Sequence, residues 1–286
     1  MPDAPDRRLN AYRPDLADAT LRGKVEAKRF TAADDFHVVA SIAPVHVRPS
    51  ACSDLETEAL GAENVRVFEI SDGWAWCQLA GDGYVGYLPA DALAPGVAPA
   101  ATHKVASAET FAYAEPTARS RRVRSLLLGT RLSVIGDTAA FFALAGGGYI
   151  GKRHAEDIGA VEADYVTTAM MLAGAPYLWG GKSVRGVDCS GLVQLALCRA
   201  GVACPRDTDM QARMLAGDLA VGADTLDELQ RGDIVYWPRH VGIMVDRTNL
   251  LHANGTHMTT LVEPLTDVVD RSRGDGPVAT AIKRLA

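Results

Sequence analysis

No stretch of this 286-residue chain approaches the run of about 18 apolar residues that a membrane span needs. A basic excess is also missing. Twenty-nine Lys and Arg stand against 35 Asp and Glu, a formal net charge of −6. Nucleic acid and anionic membrane surfaces, which both need a basic footprint, are therefore excluded as main partners. The start, Met1-Pro2-Asp3-Ala4-Pro5-Asp6-Arg7-Arg8, lacks an apolar signal core, so a cytoplasmic location is expected. No Cys-x-x-Cys pair is present, and His252 and His257 lack the tight spacing of zinc motifs. No metal and no cofactor are expected. Five cysteines is an odd number in a long chain, which argues against a disulfide framework. Cys52, Cys77, Cys198 and Cys204 read as structural or surface thiols, whereas Cys189 has different surroundings. What remains is an ordinary globular composition, 48% hydrophobic and 22% charged. The length suits two domains, or three if some are small.

Residues 1–33 are charged and read as an extended or partly helical arm. From 34 to 94 the texture changes to short β-branched and aromatic runs broken by Gly, Pro and Asp, a β signature. Residues 95–102 read as a linker, and 103–160 as a second β segment that echoes the first. Val39-Ala40-Ser41 is answered by Val105-Ala106-Ser107. Gly83-Tyr84-Val85-Gly86 is answered by Gly148-Tyr149-Ile150-Gly151, 65 positions on. Each Gly-Tyr word is followed by an Ala-acidic pair, Ala90-Asp91 or Ala155-Glu156. Two such copies suggest tandem small β-barrels. The words Val47-Arg48-Pro49, Gly73-Trp74-Ala75-Trp76 and Gly83-Tyr84-Val85-Gly86-Tyr87-Leu88-Pro89 resemble bacterial SH3-like domains. The second copy has Ala139-Ala140-Phe141-Phe142 in place of the Trp pair. The resemblance implies domains that bind cell-wall peptides or pack against a catalytic domain. Trp76 is either barrel core or a ligand contact, and Tyr84 and Tyr87 are expected on one side of a strand.

Residues 161–286 form a third region. Val161–Leu172 has helical spacing up to the breakers Gly174 and Pro176. Asp188 sits at an N-cap position ahead of the apolar stretch Cys189–Ala200, which Gly201 stops. A shorter helix is expected around Asp207–Leu215. Strands follow at Asp233–Trp237, Val241–Val245, Leu250–Ala253, Met258–Val262 and Val278–Ile282. Helices first and strands after predict an α+β domain with a mainly antiparallel sheet.

Cys189 at a helix N-terminus faces unpaired N–H groups and the positive end of the helix dipole. Both favour the nucleophilic thiolate, although a capped helix with an incidental Cys has the same look. A nucleophilic Cys needs a base, and the base needs a third group to fix it. His240 opens one strand and His252 lies in the next, so an antiparallel pair turning near Arg247–Asn249 sets them side by side. Each His alone reads equally as structural.

The local words weigh the choice. Pro176-Tyr177-Leu178-Trp179-Gly180-Gly181, Gly186-Val187-Asp188-Cys189-Ser190-Gly191-Leu192-Val193, His240-Val241-Gly242-Ile243 and Leu251-His252-Ala253 occur in the order found in the NlpC-type peptidases, which they resemble. Arg231-Gly232-Asp233-Ile234-Val235-Tyr236-Trp237 and Glu263-Pro264-Leu265 extend the match. That family's papain-like cysteine peptidases act on bacterial cell-wall peptides. The resemblance implies Cys189 as nucleophile, His240 as base and acid, His252 as the group orienting His240, and Tyr177 as a donor to the oxyanion.

With SH3-like domains ahead of it, the chain is similar to the γ-D-glutamyl-L-diamino acid endopeptidases of dipeptidyl-peptidase VI type. These trim short murein peptides during recycling and require a free N-terminal L-Ala. The likeness implies that Asp188, Ser190 and Thr208 hold the substrate ammonium. It adds an acid and a Tyr from the first SH3-like domain, here Asp54 in preference to Glu56, and Tyr84 with Tyr87 second. The expected partner is thus a murein-derived peptide. A hydrolase of intact murein and a non-catalytic murein-binding protein stay as alternatives. The preferred diamino acid and the oligomeric state are left open.

Overall fold

The computed structural model describes residues 4–221, 225–272 and 279–285. Met1–Asp3 of the expected arm and Val278 of the last expected strand lie outside the described residues. The chain divides into two compact units, residues 1–159 and 160–286.

The first unit is built mainly from short antiparallel strands. One sheet has seven, in the order Leu55–Leu60, Ile42–His46, Val85–Pro89, Trp74–Leu79, Asn64–Ser71, Asp34–Val38 and Leu93–Pro95. Its inner face carries Val38, Val45, Val65, Val67, Cys77, Leu79, Tyr84 and Leu88. The arm holds no α-helix among its described residues. It forms a parallel pair, Leu16–Asp18 with Arg29–Thr31, and one 3-10 turn, Ala19–Leu21. Ala11 and Leu16 of the arm cover Phe68 and Trp76 on the sheet's other face. Trp76 is thereby buried under the arm, with Arg13 stacked 4.5 Å from its ring centroid. Tyr84 and Tyr87 lie on opposite sides, not one. Tyr84 joins the inner core, while Tyr87 packs with Val85 on the Trp76 side. Residues three apart along an extended chain point opposite ways.

The second β segment pairs Arg122–Leu127, Glu109–Tyr113, Tyr149–Gly151, Phe141–Leu144 and Val134–Asp137 in one sheet, and Arg131–Leu132, His103–Val105 and Ala155–Asp157 in another. It does repeat the first segment, in a different register from the sequence echo. Val38 pairs with Leu93 as Val105 pairs with Ala155. His46 pairs with Tyr87 as Tyr113 pairs with Tyr149. Trp76 pairs with Tyr87 as Ala143 pairs with Tyr149. The counterpart of Gly148-Tyr149 is therefore Gly86-Tyr87. Both glycines lie against the neighbouring strand: a Cβ on Gly86 would sit 3.1 Å from the His46 carbonyl, and one on Gly148 3.0 Å from that of Tyr113. The equivalence of Ala90-Asp91 with Ala155-Glu156 fails for the same reason, since the first pair lies on a 3-10 turn and the second on the strand that follows one. The hairpin between Trp76 and Tyr87 is five residues longer than that between Ala143 and Tyr149, and Tyr84 lies in this longer tip.

In the second unit, α1 (Tyr165–Met170), α2 (Cys189–Arg199), α3 (Thr208–Met214) and α4 (Leu265–Ser272) accompany an antiparallel sheet. Its strands are β1 (Asp218–Leu219), β2 (Ile234–Trp237), β3 (His240–Met244), β4 (Asn249–Asn254), β5 (Thr259–Pro264) and β6 (Ala281–Lys283), in the order β1-β6-β2-β3-β4-β5. Alternate residues feed two cores, as a pleated strand requires. Ile234, Tyr236, Val241, Ile243 and Leu251 meet Leu192, Val193 and Ala196 of α2. Val235, Trp237, Met244 and Leu250 meet Leu265, Val268 and Val269 of α4. The first helix is shorter than Val161–Leu172 because the Asp164 side chain accepts from the Val166 N–H and caps it there.

Candidate active site

Asp188 ends an extended segment and caps α2, accepting from the Gly191 N–H at 2.7 Å. The first turn of α2 presses so closely on the preceding loop that a Cβ on Gly191 would lie 2.4 Å from the Gly181 carbonyl oxygen. Only glycine fits there, which is the physical content of the Asp-Cys-Ser-Gly word. The Asp188 carboxylate also accepts from Gly180 N–H at 2.8 Å and from Arg206 Nη2 at 2.7 Å and Nη1 at 2.9 Å. Arg206 is 1% exposed, and its Nη1 also donates to the Ser190 hydroxyl at 2.8 Å. Asp188 and Ser190 are thus committed to a buried ion pair, an arrangement that sequence reasoning did not anticipate. Arg206 was visible only as the residue two before Thr208.

The Cys189 side chain lies between α2 and β3. The backbone N–H of Val241 reaches its sulfur, and the Thr208 hydroxyl lies 3.9 Å away. Burial, reinforced by Asp188, pushes the thiol up to about 11, against the pull of Thr208, Val241 and Arg206. Against the thiolate-favouring helix end expected from the sequence stands this burial, since taking a thiolate out of water is costly. Tyr177, half-buried on the loop before α2, is pushed up to about 12 by burial and by neighbouring Cys189 and Asp188, so its hydroxyl stays a donor.

β3 and β4 pair antiparallel, Ile243 with Leu251 and Met244 with Leu250. This brings His240 Nε2 to 2.7 Å from His252 Nδ1. On its far side, His252 Nε2 lies 2.6 Å from Glu263 Oε1 and 2.8 Å from Asn254 Nδ2. Glu263 sits on β5 and is held by both terminal nitrogens of Arg271 from α4. Burial pushes the Glu263 carboxyl up, but the hydrogen bonds from Arg271 and His252 outweigh it and hold the group below its ordinary value. His240 is pushed down to about 3 by burial and by His252 and Arg271. Burial likewise lowers His252, with Glu263 opposing. Both rings are neutral near pH 7. A cavity of about 640 Å³ opens beside them, lined by Tyr177, Trp237, Arg239, His240 and Arg271 among others.

Residues 174–270 match the model of the NlpC/P60 family. The second unit carries an NlpC/P60 domain. Ahead of it, residues 45–93 match the bacterial dipeptidyl-peptidase Sh3 domain. The chain is similar to dipeptidyl-peptidase 6 of Lysinibacillus sphaericus, 29% identical over 240 residues, which span 76% of this chain and 86% of that one. It is 26% identical over 242 residues to a gamma-D-glutamyl-L-lysine dipeptidyl-peptidase of Bacillus cereus, covering 74% and 71%. The crystal structure of an NlpC/P60 family protein from Bacillus cereus shares the fold, with a TM-score of 0.70 at 20% identity over 87% of this chain and 99% of that one.

Of the residues singled out from sequence, Cys189, Asp188, Ser190, Thr208, Tyr177, His240 and His252 all surround the start of α2 or the β3–β4 pair of the NlpC/P60 domain. Tyr84 and Asp54 belong to the first unit. There the Tyr84 hydroxyl donates to Glu56 Oε2 at 2.8 Å, while Asp54 is exposed in the turn before that strand. The acid beside Tyr84 is Glu56 rather than Asp54. Glu56 lies within the paired strand Leu55–Leu60, whereas Asp54 precedes it. No group of three His, Cys, Asp or Glu among the described residues is placed to hold a metal ion. No helix among them is long and apolar enough to cross a membrane.

Proposed function

We propose that this chain is a cysteine peptidase that hydrolyses the γ-D-glutamyl bond to the diamino acid in short murein peptides with a free N-terminal L-Ala, as a cytoplasmic step of cell-wall recycling. The observation that carries the reading is the hydrogen-bonded His240–His252 pair beside Cys189, whose sulfur receives the N–H of the residue after His240. Similarity to dipeptidyl-peptidase 6 and to a gamma-D-glutamyl-L-lysine dipeptidyl-peptidase supports a dipeptidyl-peptidase activity, and the latter supports the γ-D-glutamyl substrate class. The repeated register of the first unit supports two tandem SH3-like barrels over 34–94 and 103–160.

In this reading His240 takes the thiol proton as the Cys189 sulfur attacks the γ-carbonyl carbon of D-Glu. The Tyr177 hydroxyl and backbone N–H groups at the start of α2 receive the oxyanion. The C–N bond then breaks, and His240 returns the proton to the leaving amine of the diamino acid. Water, deprotonated by His240, attacks the thioester, frees L-Ala-D-Glu and restores the thiol. Thr208, 3.9 Å from the sulfur, would meet the substrate amine, with the Asp188–Ser190–Arg206 network behind it.

The test is incubation of the purified chain with L-Ala-γ-D-Glu-meso-diaminopimelate and with the L-Lys analogue. Release of L-Ala-D-Glu is expected from the wild type, none from Cys189→Ala, and none from an N-acetylated substrate. Absence of cleavage by wild type, or cleavage of intact sacculi at the same rate as the tripeptide, overturns the reading.

A further inference from the structure

We propose that Glu263, clamped by Arg271, is a positioning residue that sets which ring nitrogens of His252 and His240 carry protons, and so leaves Nδ1 of His240 as the base. The inference deepens the proposed function and rests on His240 being its base.

The hydrogen-bond chain has only two consistent proton patterns, because each neutral imidazole carries one N–H. Two neighbours compete at His252 Nε2: the Glu263 carboxylate at 2.6 Å, which only accepts, and Asn254 Nδ2 at 2.8 Å, which only donates. Asn254 cannot turn its oxygen to the ring without loss, since Oδ1 already accepts from the His257 N–H at 2.8 Å. Glu263 is ionised, with two guanidinium hydrogen bonds, and a charge-assisted bond is about twice as strong as a neutral one. The proton therefore sits on His252 Nε2. His252 Nδ1 must then accept, so the proton of His240 is drawn to Nε2, 2.7 Å away. Nδ1 of His240 is left bare. In the opposite pattern Nδ1 of His240 would be protonated and unable to take a proton from a thiol.

Glu263→Gln discriminates. Its single side-chain oxygen stays with Arg271, which turns the amide nitrogen toward His252 Nε2 and reverses the chain. Nitrogen-15 NMR of the full chain is expected to show both rings protonated at Nε2 in the wild type and at Nδ1 in Glu263→Gln. With the tripeptide, kcat is expected to fall about 10²- to 10⁴-fold with KM little changed, as for other wrong-tautomer bases. Glu263→Asp should recover most of the loss, and Asn254→Ala should keep the wild-type proton pattern. Protonation of His240 at Nδ1 in the wild type overturns the proposal even if Glu263→Gln does not fold. So does a wild-type pattern and kcat in folded Glu263→Gln, or reversal in Asn254→Ala. The spectra need no substrate, so an inactive wild type would sink the proposed reaction and still leave this inference decided.

Discussion

At pH 7 the Cys189 sulfur and the His240 ring are both uncharged, since burial pushes the thiol up to about 11 and the imidazole down to about 3. The thiolate fraction at neutrality is about one in 10⁴ and rises tenfold per pH unit. Inactivation by iodoacetamide should therefore climb steadily from pH 7 to 9. A rate already flat between pH 5 and 8 would show a standing thiolate–imidazolium pair instead. The residues of this pair were legible because each is embedded in a word whose neighbours are fixed by geometry, such as Gly191 beneath the Gly181 carbonyl. Arg206, Glu263 and Arg271 were not legible as site residues. Each acts through a partner at least eight positions away, and nothing in its local sequence distinguishes it from a solvated charge.

Among the elements, the first turn of α2 depends on a partner outside it. Arg206 lies in the segment before α3, and its guanidinium is buried against Asp188. Removing one member of a buried pair leaves an uncompensated charge. Arg206→Met should lower stability by about 3–5 kcal/mol, read as a fall in the denaturant midpoint. An unchanged midpoint would mean that the cap holds without the ion pair. α2 itself was readable to within a residue, because Asp188 and Gly201 mark its ends. α4 was not legible, although Leu265, Val268 and Val269 have helical spacing, because its eight residues directly after the strand that ends at Pro264 are too few for a helical period to stand out. In the first unit the repeat was visible but mis-registered. Identical letters at Gly83 and Gly148 outweighed the strand pairing, which only the structure supplies.

On the scale of the whole molecule, the change of texture near residue 160 was plain from sequence, as was the order of a β-rich part before an α+β part. The role of the arm was not, since a charged segment gives no sign of the few apolar residues that dock it. Leu16 alone buries enough to contribute about 1.5–3 kcal/mol. Deleting residues 1–33 should uncover Trp76, red-shift the tryptophan emission and lower the melting temperature. An unshifted spectrum would show that the arm does not cover the ring in solution.

The five extra residues in the tip between Trp76 and Tyr87 leave every strand pair on either side matched to its counterpart. The difference between the two segments is thus confined to a loop. One copy can gain or shed a task at that tip while its scaffold stays under the same constraint. In related chains, the length of this tip, more than the make-up of the strands, would then record which copy carries a counterpart of Tyr84.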